Sequence, residues 1–279
     1  MARRGDHGTN PAVLRLGFSS CPNDTFMFHA LVQGLVPDAP AVEVVMEDIE
    51  ALNRRALDPG GDALPLSKLS VGAWVRVRER YGVLDAGAAL GRGCGPLVVA
   101  REAAPLSELG GRRIAIPGLG TTAYALLRMF GPGHVPVPMR FDRIMPAVEQ
   151  GEVDAGLIIH ESRFTYPDHG LVQVADLGEV WEADTGLPLP LGVIAAQTSL
   201  DPDVRDRFER ALSASVRYAW DHPDASRSYV EAHAQEMERS VCDQHIALYV
   251  NEYSASLGDE GRAALDAFAE RFAALAPVG

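Results

Sequence analysis

The sequence predicts an α/β protein made of two sheet-containing units, and three observations carry that expectation. Strand-like and helix-like patterns alternate along most of the chain, the alternation restarts at Pro105, and each part has its own turn chemistry. The length of 279 residues exceeds the commonest domain size, so two domains, or one large α/β unit, is the expected organisation.

The elements follow in order. LRLGFSS reads as a strand, CPND as a turn, and TFMFHALVQGL as a helix with apolar residues on one face, capped by Asp24 or Thr25. VEVVMEDI is a second strand and IEALNRRAL a second helix, a βαβ-like opening that favours a parallel sheet. DPGGDALP is a loop, and KLSVGAWVRVRERY reads as a short helix after it. Gly91, Gly93 and Gly95 precede the strand PLVVA rather than a helix and match no phosphate-loop spacing, so a tight crossover is the expected role. Beyond Pro105, LGGRRIAIPG is a strand, TTAYALLRMF a helix starting near Thr121 or Thr122, and VPVPMRF a short strand. DRIMPAVEQGEVDAGLIIHE supplies a helix, a turn and a strand that ends in His160 and Glu161. The Gly- and Pro-rich GLVQVADLGEVWEADTGLPLPLGVIAAQ is expected to return the chain to the first unit. The charged, Ala-rich helices after Asp201 are expected on the outside.

Composition narrows the function classes. The hydrophobic fraction of 47% with 23% charged residues excludes a disordered or collagen-like chain. A formal net charge of −13 repels phosphate backbones and anionic headgroups, so neither nucleic acid nor a membrane is an expected partner. No run approaches the roughly 20 apolar residues of a bilayer span, and MARRGDHGTNPA carries no apolar signal core. Residues 1–13 therefore read as a flexible tail and the chain as cytoplasmic. Cys21, Cys94 and Cys242 are odd in number and far apart, which suggests neither a disulfide framework nor a zinc site. Cys21 precedes a helix start, where a thiolate can be stabilised, but a small buried thiol is the expectation. No cluster of His, Cys and carboxylates with metal-ligand spacing occurs along the chain, so no metal is expected.

SSCPNDTFMFHAL, KLSVGAW, GAALGRGCGPLVV, IAIPGLGTTAYALL, RIMPAVEQGEVDAGLIIHESRFTY and GLPLPLG together resemble the 1,4-dihydroxy-6-naphthoate synthases of the futalosine route to menaquinone. The resemblance implies a two-lobed, type II periplasmic-binding-protein-like α/β fold with a ligand cleft between the lobes. The lobes are expected at residues 14–105 plus 191–279 for the larger and 106–190 for the smaller. It also implies a cofactor-independent lyase that converts cyclic de-hypoxanthine futalosine, a small-molecule carboxylate, into 1,4-dihydroxy-6-naphthoate. Chorismate dehydratase, of the same fold and pathway, is the nearest alternative enzyme, and a solute receptor of an importer is the non-catalytic one.

By this resemblance His160, in the I-I-H-E context, is the general base; an imidazole has an ordinary pKa near 6.5 and is partly neutral at neutral pH. Glu161 follows directly and is expected on the opposite face if the strand continues. Thr121 and Thr122 stand at a helix N-terminus, where N–H groups and the helix dipole favour the substrate carboxylate; the alternative is an ordinary N-cap, a role to which one of the two can be confined. Lys68 and Ser70 match the Lys-x-Ser segment that lines the family's cleft. Pro65-Leu66-Ser67-Lys68 stands where the family reads Asp-hydrophobe-Thr-Lys, so a solvated surface lysine is the alternative. Asn23 is a cleft residue or a helix cap. Arg92 and Arg163 are expected to be structural or at the rim, and Tyr124 and Phe164 either wall the ring pocket or pack in the core.

Overall fold

The computed structural model describes residues 13–234 and 238–275. The tail expected at 1–13 lies, apart from Val13, outside them.

The chain opens as the sequence pattern requires. β1 (Leu14–Phe18), α1 (Pro22–Val32), β2 (Val42–Met46) and α2 (Ile49–Leu57) alternate, and β1 pairs in parallel with β2. The Asp48 carboxylate caps α2 by accepting from the Glu50 and Ala51 N–H groups. α1 departs from the one-faced helix expected of it: residues 22–31 are buried throughout. The helices that follow the second lobe cover its far side, which explains an apolar content too high for a surface helix.

The segment read as a helix from Lys68 is first a strand. β3 (Leu66–Ser70) is buried at every residue and pairs in parallel with β1, and α3 (Val71–Val77) begins only after it. Ser67, Lys68 and Ser70 give LSKLS a polar look, yet each has a hydrogen-bond partner inside the protein. Satisfied polar groups can line a buried strand, and they conceal its burial from a hydrophobicity pattern.

β4 (Tyr81–Val83) and β5 (Ala89–Gly91) also belong to the first sheet, and the chain then crosses to the second with β6 (Leu97–Ala100). Gly95 lies in this crossover, where a Cβ would come within 2.2 Å of the Gly178 nitrogen, so two backbones pass here with no room for a side chain. β6 pairs antiparallel with both β9 and β10 and thus belongs to the second sheet. The boundary expected at residue 105 comes too late, because the pattern restart marks a new βα unit and not the change of sheet.

The second lobe runs β7 (Arg113–Ile116), α4 (Thr122–Phe130), β8 (Val135–Pro138), α5 (Phe141–Glu149), β9 (Ala155–Ile158), α6 (Ser162–Thr165), β10 (Val172–Asp176) and α7 (Leu177–Thr185). β11 (Leu189–Gln197) then returns to the first sheet and pairs with β3, β4 and β5. The sheets have strand orders β2-β1-β3-β11-β4, with β5 also on β11, and β10-β6-β9-β7-β8.

α8 (Pro202–Asp221), α9 (Arg227–His233), α10 (Arg239–Tyr249), α11 (Glu252–Ala255) and α12 (Gly258–Ala273) close the structure. They are not simply an outer layer. Ala264, Leu265 and Phe268 of α12 share one apolar core with Leu126 and Leu127 of α4 and Trp181 of α7, so the last helix ties the lobes together. α10 carries two buried side chains into the cleft. Among the described residues no helix is long and apolar enough to cross a membrane.

Candidate active site

Open α/β sheets place their sites beyond the carboxyl ends of the strands. Here Asn23 follows β1, Lys68 and Ser70 end β3, Thr121 and Thr122 follow β7, and Ile159 and His160 follow β9; all line one cleft. The cleft holds about 600 Å³ of non-atom space, part of it open to solvent, and Cys94, Leu191, His245 and Tyr249 add to its walls. The structure thus brings together Asn23, Lys68, Ser70, Thr121, Thr122 and His160.

Lys68 is a buried ion-pair partner and not a surface lysine. Its Nζ lies 2.5 Å from Asp24 Oδ1, and the two side chains are 7% and 0% exposed. The same carboxylate accepts from the Ser19 N–H and Oγ–H at 3.0 and 2.6 Å and from Asn23 Nδ2 at 3.0 Å. Asp24 therefore does not cap α1; Cys21 occupies that position without a side-chain cap bond. A buried charge needs such complete pairing. Asn23 orients Asp24 while it lines the cleft.

Ser70 starts α3 and accepts a hydrogen bond from Asn53 Nδ2, whose amide oxygen in turn accepts from the Ser70 N–H. Thr121 is the N-cap of α4: its hydroxyl accepts from Tyr124 N–H and donates to Gly118 O. The Thr122 hydroxyl donates to Leu191 O at 2.6 Å and accepts from Gly72 N–H at 3.2 Å. That last bond joins α3 of one lobe to α4 of the other, and a Cβ on Gly72 would lie 3.0 Å from Thr121 O. Both threonine hydroxyls are engaged by protein. The groups of α4 suited to an anion are its opening backbone N–H groups, which have no partner within the helix.

β9 ends at Ile158, and His160 has φ 58, a left-handed conformation that non-glycine residues seldom adopt. Strand alternation has therefore stopped before Glu161. The expectation that Glu161 faces away fails for that reason: both residues border a second recess with Ser19, Cys21, Asp48 and Phe141. Cys21 Sγ lies 3.3 Å from His160 Nδ1, and the Phe141 ring meets the imidazole edge-on at 5.1 Å. Burial, with the Lys68 cation second, pulls the His160 pKa down to about 3, so the imidazole is neutral at ordinary pH. Burial pushes the Cys21 thiol up to about 12, which leaves a neutral thiol and no thiolate. Burial also raises the Glu161 pKa.

His245 comes from α10, and its ring stacks 6.3 Å from that of His160. Ligand atoms of His160, Glu161 and His245 all lie within 4.8 Å of one another, a grouping that divalent cations can use. The absence of ligand spacing along the chain therefore does not extend to space.

Arg163 binds Gly95 O at 2.6 Å and the Asp176 carboxylate at 2.7 Å, a structural clamp at the crossover. Arg92 is exposed and holds Gly186 O and Glu260. Tyr124 packs in the core and Phe164 does not line the cleft. Sequence reasoning missed Phe141, read there as the end of a strand, and missed His245 and Tyr249. The last two stand four residues apart on one helical face, buried together with Cys242, and that spacing is the signal that could have found them.

The fold and cleft define a periplasmic-binding-protein-like protein whose interior is equipped for more than holding a ligand. Solved structures agree on the fold: a Candida albicans protein described as having the generic periplasmic binding protein fold superposes with TM-score 0.67 at 14% identity, covering 96% of this chain and 92% of that one. A protein from Archaeoglobus fulgidus reaches TM-score 0.89 at 37% identity, with 96% of this chain and 98% of that chain covered. A family model described as menaquinone biosynthesis matches residues 14–274. 1,4-Dihydroxy-6-naphthoate synthases from Thermus thermophilus and Streptomyces coelicolor are 55% and 50% identical, covering 92% and 94% of this chain and 93% of each relative. The chain belongs to the 1,4-dihydroxy-6-naphthoate synthases, within the menaquinone-biosynthesis family.

Proposed function

We propose that this enzyme converts cyclic de-hypoxanthine futalosine into 1,4-dihydroxy-6-naphthoate, as a lyase that needs no metal or organic cofactor, with His160 as general base. The observation that carries this reading is the His160 imidazole, held at a left-handed turn just after β9 and lining the same cleft as the N-terminus of α4. Burial together with the Lys68 cation keeps the His160 lone pair free at working pH but lowers its basicity, so efficient proton transfer requires the bound substrate to bring that pKa back toward working pH. In the tautomer that carries its proton on Nδ1, the nitrogen 3.3 Å from Cys21 Sγ, Nε2 is the acceptor of the substrate proton. The N–H groups that open α4 receive the substrate carboxylate, which holds the ring system in one orientation. Proton removal then starts release of the sugar-derived fragment, and formation of the aromatic naphthoate drives the reaction forward.

Incubation of the purified protein with cyclic de-hypoxanthine futalosine, and separately with chorismate, tests the class. The naphthoate is the expected product; turnover of chorismate alone makes the protein a dehydratase, and binding without turnover makes it a receptor. His160→Asn keeps a polar side chain but removes the base, so kcat should fall about 10²- to 10⁴-fold or more while substrate affinity changes far less. A folded His160→Asn protein with near-normal kcat would remove the base from the mechanism.

A further inference from the structure

His245 has a chemical position that packing alone does not explain. It is 1% exposed, and neither Nδ1 nor Nε2 has a hydrogen-bond partner in the protein. His29 and His134, the other histidines with a buried unpartnered nitrogen among the described residues, have one such atom each and do not line the cleft. An apolar side chain would serve stability better at a site where two buried nitrogens go unmatched. The Tyr249 ring, 4.6 Å away, and the helix beneath it hold His245 against the cleft wall, across from His160.

We propose that His245 is a second substrate-contacting residue of this cleft, whose imidazole hydrogen-bonds a hydroxyl on the sugar-derived part of the substrate. This assignment rests on the substrate proposed above. Its chemistry follows from charge and from donor count. Burial, the facing His160 and the Lys68 cation all disfavour protonation of His245, so it stays neutral. A neutral imidazole offers one N–H donor and one lone pair. A hydroxyl, which both donates and accepts, matches that pair. A carboxylate, which only accepts, matches it poorly and finds better donors at the start of α4. The substrate is thereby oriented, with its carboxylate toward Thr121 and Thr122 and its hydroxylated fragment between His245 and the base.

Two substitutions test this in the full-length protein. His245→Phe keeps a ring against Tyr249 but has no polar atom, while His245→Gln keeps a donor and an acceptor. His245→Phe should unfold at the wild-type temperature or above it, yet lose about 10- to 100-fold in kcat/KM, the effect of a lost substrate hydrogen bond and an unmatched substrate hydroxyl. His245→Gln should recover part of that loss, a rescue that a purely structural histidine would not show. If His245→Phe does not fold, His245→Met, apolar and able to adapt to the same space, takes its place. An active wild type whose kcat/KM is matched by the folded apolar variant overturns the His245 assignment alone. A wild type that leaves cyclic de-hypoxanthine futalosine unchanged overturns the proposed function, and this assignment falls with it.

Discussion

Replacing Lys68 by Met separates what the buried ion pair does for the fold from what it does for the site. The substitution leaves the fully buried Asp24 carboxylate without its cation, 2.5 Å away in the native protein. Removing one partner of a buried pair costs about 3–5 kcal/mol. The lower end applies here, because Ser19 N–H, Ser19 Oγ–H and Asn23 Nδ2 still donate to the carboxylate. At roughly 2 °C per kcal/mol for a chain of this size, the melting temperature should fall by about 6 °C. Asp24→Leu alone should be at least as damaging, since it strands an ammonium and three donors. The double variant Lys68→Met, Asp24→Leu removes both charges, and its loss should be smaller than the sum of the single losses by more than about 1.5 kcal/mol. Urea titration of the four proteins gives this coupling directly. Activity should behave differently: Lys68 lines the cleft, so the double variant regains stability but not turnover. Additive stability losses would refute the pairing, and full activity in the double variant would refute any role for Lys68 at the site.

Three further outcomes follow from the same groups. His160 and His245 have pKa values lowered in the folded protein, whereas unfolded imidazoles titrate near 6.5. The unfolded chain therefore binds more protons below that pH, so the stability these residues confer is full above about 6.5 and is lost as pH falls toward about 3, the folded value of His160. Urea midpoints between pH 7.5 and 5 should decline in the wild type and decline less in His160→Asn; equal slopes would rule out a buried neutral His160. Exhaustive chelation should leave turnover intact. Added Zn²⁺ should inhibit by capturing the lone pairs of His160 and His245 with the Glu161 carboxylate, and His245→Phe should weaken that inhibition. Activity that a chelator abolishes and a divalent metal restores would overturn the metal-free chemistry.

How much of this was legible in the sequence depended on how local each determinant is. The order of the opening β1-α1-β2-α2 run and the helix after Thr121 were readable, because the apolar runs, and for α4 the Thr121 cap, lie within a few residues, whereas the one-faced period and the cap expected of α1 failed. β3 was not. Its character comes from Asp24 and Asn53, distant in sequence, which satisfy Lys68 and Ser70. The change of sheet at β6 was hidden for a similar reason, since strand pairing with β9 and β10 leaves no mark on PLVVA itself. His160 could be named from the abrupt end of an apolar strand and the family context. Glu161 was misplaced because alternation was carried past Ile158, where a left-handed residue had already turned the chain. His245 needed the path of α10, which no local pattern encodes.

The charge distribution explains why recognition in this cleft has to be short-ranged. A net charge of −13 opposes the approach of the proposed carboxylate substrate at distances beyond the contact shell, although salt limits that opposition to about 8 Å at physiological strength. Inside the cleft the cationic side chain is already matched: Lys68 by Asp24. At the crossover next to it, Arg163 is matched in the same way by Asp176. What remains for the ligand is dipolar, namely the start of α4 and two imidazoles, His160 half-buried and His245 buried. Such groups act only at hydrogen-bond range, but they are fixed before the substrate arrives and need little reorganisation during reaction. A receptor has no use for a strained His160 whose lone pair is kept free by burial and a neighbouring cation. The proton abstraction proposed for His160 has a use for both.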